Sequence, residues 1–251
     1  MHIPDGWVDL PTSAGAAVVA AGGVGVAARR AGLALREKAT SLPPVVAAYL
    51  LVAQLLVVPV GLGTSAHLIG TGLAALLVGP SVTIVCVAVV VVVQALLLAD
   101  GGVTAIGLNL VNDGIVPAVV AAGLFAVLRP LLRTRRRQAV GAGVSAGAGS
   151  LAAAAAATLA FVVGGTDAVS PATVAASIGG AHVVVAALET VLTALALGTV
   201  LRLRPDLVRA VRSWRRPVDP ATAPAGAPAV DPVAADPLAT TPLPDQEPSP
   251  A

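Results

Sequence analysis

Charge is scarce in this chain. Only 11% of its 251 residues are Asp, Glu, Lys or Arg, against about a quarter in a soluble domain. With 57% of residues hydrophobic, that deficit excludes an ordinary water-soluble fold and indicates an integral membrane protein. Aromatic residues are as sparse: two Trp, two Phe and one Tyr, too few for an aromatic cage or a base-stacking surface, so nucleic acid is not an expected partner. Cys86 is the single cysteine and sits in an uncharged run. One thiol builds neither a disulfide framework nor a thiolate metal site, so it reads as a small buried hydrophobe. The sequence carries no GxxxxGK[ST] loop, no HExxH, no GxSxG elbow and no Cys/His cluster. It therefore has no Walker-type ATP site and little basis for hydrolytic chemistry. It reads as a non-enzyme, with any ATP hydrolysis left to a partner chain.

Long apolar runs are what the chain has in quantity. A membrane helix needs about 20 apolar residues, and runs at 11–28, 44–63, 65–79, 81–99, 106–128, 139–163 and 176–201 read as seven spans. The third is short and is separated from the fourth only by Gly79-Pro80, which reads as a tight hairpin. The basic residues orient the bundle. Arg29, Arg30, Arg36 and Lys38 follow the first span, Arg129, Arg133 and Arg135 to Arg137 the fifth, and Arg202, Arg204, Arg209, Arg212, Arg215 and Arg216 the seventh. With seven spans, every Lys and Arg falls on one face, which the positive-inside rule makes cytoplasmic. The N-terminus is then outside and the C-terminus inside, with anionic lipid headgroups as neighbours of the basic face. The expected fold is an all-α integral membrane protein of about seven transmembrane helices. Its membrane domain spans 1–204 and a basic cytoplasmic segment 205–216. Residues 217–251 hold ten of the twenty prolines and no basic residue, and read as a disordered acidic tail. In the sixth span Gly143 and Gly147, with Gly141, Ser145 and Gly149, put small residues four apart, for close helix packing within the chain or against another membrane subunit.

The opening stretch MHIPDGW has no Lys or Arg, so it makes a poor signal-peptide start. It reads either as a polar cap or as a chemical group in use. A free amine at Met1, the deprotonated amide nitrogen of His2 and the His2 imidazole Nδ1 close two fused chelate rings, because the histidine is second. Three nitrogens then lie in one plane, and His67, in GTSAHLIG on the same outer side, is available for the fourth corner. Such a plane suits Ni(II) or Cu(II), and Co(II) also uses imidazole. Pro4, Asp5 and Gly6 would turn the chain back toward the membrane. In ADGGVTAIGLNLVNDG, residues Asn109, Asn112 and Asp113 share a helical face. They serve interhelical hydrogen bonding, hold the N-terminal segment or line an ion path. In the last span His182, Glu189 and Thr193 share another face. Intramembrane His and Glu are functional candidates, and a structural polar pair accounts for them equally well.

Taken together, MHIPDGW, GTSAHLIGTGLAALLVGP, QALLLADGGVTAIGLNLVNDG and the His182–Glu189 span resemble CbiM/NikM. These are the substrate-capture membrane components of energy-coupling-factor cobalt and nickel importers. The resemblance runs from Met1 to about Arg204. It implies a seven-helix S-component-like bundle in a bacterial plasma membrane, with Met1, His2 and His67 holding Co2+ or Ni2+ as transported substrate. It also implies three partners: a coupling subunit of CbiQ/NikQ type, an ATPase of CbiO/NikO type and a small accessory subunit of CbiN/NikN type. Asp5, Asn109, Asn112, His182 and Glu189 are the candidates for supporting contacts or an ion path. Two positions depart from the family pattern, Ala66 for Gly and Asp113 for Met, and neither is expected to touch a ligand. The rival readings are a metal-independent permease for a small organic solute and a membrane metal sensor or structural subunit.

Overall fold

The computed structural model describes residues 2–36, 42–61, 64–166 and 169–212; Met1, Lys38, Arg215, Arg216 and the tail 217–251 lie outside the described residues. The chain forms α1 (Leu10–Arg36), α2 (Leu42–Gln54), a hairpin of β1 (Val57–Gly61) and β2 (Thr64–His67), α3 (Thr71–Val78) and α4 (Pro80–Leu97). It continues through α5 (Ile106–Leu110), a π-helical turn (Val111–Ile115), α6 (Val116–Leu128), α7 (Arg135–Gly164), α8 (Pro171–Leu203) and α9 (Arg209–Arg212). Helix starts follow local chemistry. The Thr134 hydroxyl accepts the Arg137 N–H and Ser170 accepts that of Thr173, both at 3.2 Å, and Pro171 opens α8. A short side-chain oxygen at the cap satisfies a donor the helix cannot, and proline at the first position has no N–H to lose.

Among the described residues, five stretches are long and apolar enough to cross a membrane: Leu10–Leu33, Pro80–Leu97, Ile106–Leu131, Arg135–Gly164 and Pro171–Leu203. Leu10, Val18, Leu97, Val163 and Leu203 are mostly exposed. Surfaces of this kind are tolerable in lipid and not in water, so this is a multi-pass, essentially helical membrane protein.

The second and third expected spans take a different form. α2 stops at Gln54, and the rest of that apolar run pairs as an antiparallel hairpin, with Val57 opposite His67 and Val58 opposite Ala66. Pro59 has no N–H for a helical ladder, Gly61 weakens a helix, and β-branched valines favour extended backbone. Hydropathy averaged over the run does not register these backbone preferences. α3 is consequently only eight residues long. Gly79, at φ +92°, turns the chain directly into Pro80 of α4. A β-carbon on Gly79 would lie 2.8 Å from Arg209 Cδ, so this turn sits beside Arg209 at the start of α9.

The small residues of α7 are used within the chain. Added β-carbons would meet the Thr190 carbonyl oxygen at 2.2 Å from Gly143 and that of Ala186 at 2.8 Å from Gly147. α7 and α8 thus pack backbone against backbone. One apolar core joins Leu50, Val78, Val87 and Val90. A second gathers Ile3, Trp7 and Val8 of the N-terminal segment against Leu108, Ala157, Phe161 and Ile178. The Trp7 and Phe161 rings stand 4.7 Å apart.

Candidate metal centre

The chain ahead of α1 is not a loose cap. The Asn109 side chain grips the Ile3 peptide unit at both ends: its Oδ1 accepts the Ile3 N–H at 2.7 Å and its Nδ2 donates to the Ile3 carbonyl at 3.1 Å. The Gly102 N–H donates to the same carbonyl at 2.9 Å. Asp5 accepts from the Val103 N–H at 3.1 Å, the Thr104 N–H at 2.7 Å and the Thr104 hydroxyl at 2.5 Å. These bonds, the Thr104 hydroxyl foremost, hold the Asp5 carboxyl below the ordinary carboxylate range. Further along, the Thr166 hydroxyl donates to the Gly6 carbonyl and the Thr166 N–H to that of Trp7 at 3.2 Å. Val8 forms an antiparallel bridge with Gly165. A β-carbon on Gly102 would lie 2.3 Å from the Asp5 nitrogen, so glycine here is what lets two backbones meet. Ile3 is fully buried, a contribution of about 1.5–3 kcal/mol relative to an exposed side chain.

That clasp inserts His2 into the protein, where it is 4% exposed. His67, 2% exposed, arrives at the end of β2. The two ring centroids stand 4.4 Å apart, with 35° between the ring planes. His67 Nδ1 lies 3.1 Å from the Leu68 carbonyl. A carbonyl only accepts, so Nδ1 carries the proton and Nε2 is the atom with a lone pair for a metal. His2 stands between two carboxylates. Its Nδ1 is 2.9 Å from Asp100 Oδ1 and its Nε2 is 3.9 Å from Asp113 Oδ2. The imidazole beside it holds the Asp100 carboxyl below its usual range. In this arrangement Nδ1 faces Asp100, so closing a chelate ring through Nδ1 requires that contact to be exchanged.

His2, His67 and Asp113 form a group in which one ligand atom from each lies within 4.8 Å of the others. Asp113 was expected to stand clear of the ligands, and the structure corrects this. Helical spacing placed it on a face, but only the π-helical turn and its packing bring its carboxylate to the histidines. The Thr71 hydroxyl donates to the Asp113 carbonyl at 2.5 Å, and a β-carbon on Gly114 would already press on Val87 and Leu110 at 3.1 Å. π turns of this kind occur frequently at functional sites. Ala66, the other departure, is buried in the hairpin.

The remaining candidates take different places. Asn109 and Asp5 hold the N-terminal segment, as above. Asn112 is buried, and its amide has no hydrogen-bond partner among the described residues. His182 donates Nδ1–H to the Ile178 carbonyl at 2.9 Å, its buried Nε2 has no hydrogen-bond partner among the described residues, and the ring lies within electrostatic reach of His67 and Asp113. Glu189 stands outside the histidine group. Its Oε1 accepts the Gly70 N–H at 2.7 Å, three residues beyond His67. Met1 lies outside the described residues. Sequence reasoning gave no role to Asp100 or Thr104. The ADGG stretch flagged the loop, but nothing in its spacing announced which residues would meet positions 2 and 5.

The profile described as CbiM, cobalt uptake substrate-specific transmembrane region, matches residues 2–207. A metal transport protein of Haloquadratum walsbyi is 35% identical over 219 residues, covering 83% of this chain and 93% of that one. The fused nickel transport protein NikMN of Rhodobacter capsulatus is 34% identical over 164 residues, 65% of this chain and 47% of that longer one. A crystal structure of a transition metal transporter superposes with a TM-score of 0.72 at 25% identity, covering 86% of this chain and all of that one. The chain belongs to the CbiM family, the non-enzymatic transmembrane component of cobalt and nickel uptake.

Proposed function

We propose that this protein captures Co2+ or Ni2+ from outside the cell at a site made by its own N-terminus and His67, and passes the ion inward when partner subunits hydrolyse ATP. The observation that carries the reading is the 4.4 Å approach of the His2 and His67 rings in a buried pocket. The ligands are the Met1 amine, the His2 amide nitrogen, the His2 imidazole and the His67 imidazole. Binding releases the amine and amide protons to solvent. Neutral amine, anionic amide and two neutral imidazoles leave a bound divalent ion with a net charge of +1.

In this reading the chain crosses the membrane seven times, N-terminus outside and C-terminus inside. α2 and α3 make the two short passes, with the hairpin completing their outer halves. At about 1.5 Å per residue, α3 rises about 12 Å and α4 about 27 Å from the Gly79–Pro80 turn. His67 therefore sits near mid-depth, and non-helical backbone at that level is tolerable because it is buried in protein. The membrane domain is 1–204, followed by a basic segment 205–216 and a proline-rich acidic tail 217–251. Asn112 and His182 line the inward path, and Glu189 braces it.

The partners are a coupling subunit of CbiQ/NikQ type, an ATPase of CbiO/NikO type and a separate CbiN/NikN-type subunit. The fused NikMN relative, a longer chain, supports the last of these. The plasma membrane is the site of action. The test is uptake of radioactive cobalt and nickel by cells carrying the whole gene set, beside the purified chain alone in liposomes with ATP. The reading expects uptake in the first and none in the second; accumulation by the lone chain, or no uptake by the set, would refute it.

A further inference from the structure

Two of the basic residues at one end of the bundle converge on a single cleft. Arg129 follows α6 and Arg209 opens α9, and both line a cavity of about 240 Å³. Its other walls are apolar and include Leu76 of α3, Pro80 of α4 and Ala122, Phe125 and Ala126 of α6. None of the described residues lining it is acidic. Arg209 is held in place by its neighbours. Val208 is fully buried in a cluster with Leu76, Phe125 and Leu201, and Ala210 and Val211 pack against the same cluster. The Arg209 side chain crosses the Gly79–Pro80 turn so closely that a β-carbon on Gly79 would meet its Cδ at 2.8 Å and its Nε at 3.0 Å. A ligand here meets a cation already in position, and less rotamer entropy is lost than at a loose surface arginine.

We propose that this cleft binds one anionic phospholipid, its headgroup phosphate between Arg129 and Arg209 and an acyl chain leaving past Ala122 and Ala126. The charge is complementary: two guanidinium groups face the cleft, and their planar forks match phosphate oxygens in pairs. The depth also fits. Pro80 begins α4 at the cleft, and the eighteen residues of that helix rise about 27 Å, close to the hydrocarbon thickness of about 30 Å. The cleft therefore lies where headgroups meet the hydrocarbon core.

Size and shape point the same way. The volume is below the about 300–1,000 Å³ of pockets that enclose a whole drug-sized ligand, so it suits a headgroup whose chains stay in the bilayer. Ala122 is half-buried and Ala126, one turn on, is exposed, so the wall opens sideways toward lipid. A soluble anion gains nothing from apolar walls, whereas an acyl chain buries surface against them. The same opening favours lipid over an acidic segment of a partner or of residues 217–251. Occupancy ties α9 to the α3–α4 turn, at the end of α3 opposite the loop bearing His67.

The test uses the full chain purified in a neutral detergent and titrated with phosphatidylglycerol or phosphatidylcholine, with bound lipid counted by native mass spectrometry. Phosphatidylglycerol should bind as one tight equivalent, at least about tenfold more strongly than phosphatidylcholine. Arg129→Gln and Arg209→Gln should each lower that affinity about fivefold, the share of one basic residue at a membrane surface. Arg133→Gln and Arg136→Gln, outside the cleft, should leave it unchanged. Ala126→Trp keeps every charge and fills the lateral opening, so it should weaken binding too, and it stands as the test if an arginine variant does not fold. Equal binding of the two lipids by the wild type would overturn the proposal. So would equal losses in all four arginine variants, which would mean a diffuse basic face, or full affinity in Ala126→Trp. Displacement of the lipid by millimolar inorganic phosphate would overturn it in favour of a simple anion site. A clear gain in phosphatidylglycerol affinity on cutting the chain after Arg216 would overturn it in favour of the acidic tail as occupant.

Discussion

The His2 and His67 rings stand 4.4 Å apart and tilted by 35°, although one belongs to an inserted terminus and the other to the end of a hairpin. Two buried imidazoles at this distance can share one ion, with His67 donating through Nε2 because Nδ1 is turned to the Leu68 carbonyl. His67→Ala should therefore weaken cobalt and nickel binding by more than about a hundredfold, beyond the usual cost of losing an outer-shell partner, while helicity and thermal unfolding stay near wild type. Calorimetric titration checks it; wild-type affinity would remove His67 from the site.

Covering the terminus should have the same effect. A Gly-Ser extension before Met1 turns the amine into an amide and crowds the plane, so affinity should collapse at neutral pH. In the native protein, protons compete with the ion for the same lone pairs. Affinity should fall as pH drops through about 7.7–8.0, where an unperturbed α-amine gains its proton. Asp5 and Asp100 do not contribute to that loss. Both are held below the ordinary value of 3.8, so the stabilisation they give is present above that value and is lost only as pH falls through their lowered folded-state pKa values. Identical titration curves for native and extended chains at pH 6 to 8 would show the terminus to be a bystander.

Asn109 holds the inserted segment by the two ends of one peptide unit. Asn109→Ala leaves the buried Ile3 N–H without its acceptor, at about 1–3 kcal/mol, while the Ile3 carbonyl keeps the Gly102 N–H. Since about 1.4 kcal/mol is a factor of ten, metal affinity should fall about tenfold to a hundredfold. The segment should also become accessible to aminopeptidase. A variant that binds metal normally and resists digestion would mean that the remaining contacts, chiefly Asp5 with Thr104, suffice.

Glu189 is expected to act through position rather than ligation. Its carboxylate accepts the Gly70 N–H at 2.7 Å, and Gly70, at φ +71°, makes the turn between His67 and α3. Glu189→Ala should release that turn and weaken metal binding about tenfold, the lower part of the range for a lost buried acceptor. Glu189→Gln keeps an acceptor oxygen and should restore most of the affinity. If Gln is as damaging as Ala, the charge matters and not the hydrogen bond.

Residue types alone determined much of this protein. Low charge and long apolar runs made it a membrane protein, because transfer free energy depends on composition more than on contacts. A histidine at position 2 made the proposed chelate legible, since the fused rings are a property of two consecutive residues. The motifs around His2, His67 and Asn109 pointed to the family. What hydropathy could not decide was where apolar backbone stops being helical. Pro59 and Gly61 cost little on a hydropathy scale and much in a helix, so the hairpin and the eight-residue α3 belong to the folded chain. Which carboxylate meets which histidine was also beyond the sequence. Asp100 and Asp113 reach His2 from opposite sides only because a loop at Gly101–Gly102 admits the terminus and a π turn redirects the helix that follows. Both are long-range packing outcomes, and no spacing along one element encodes them.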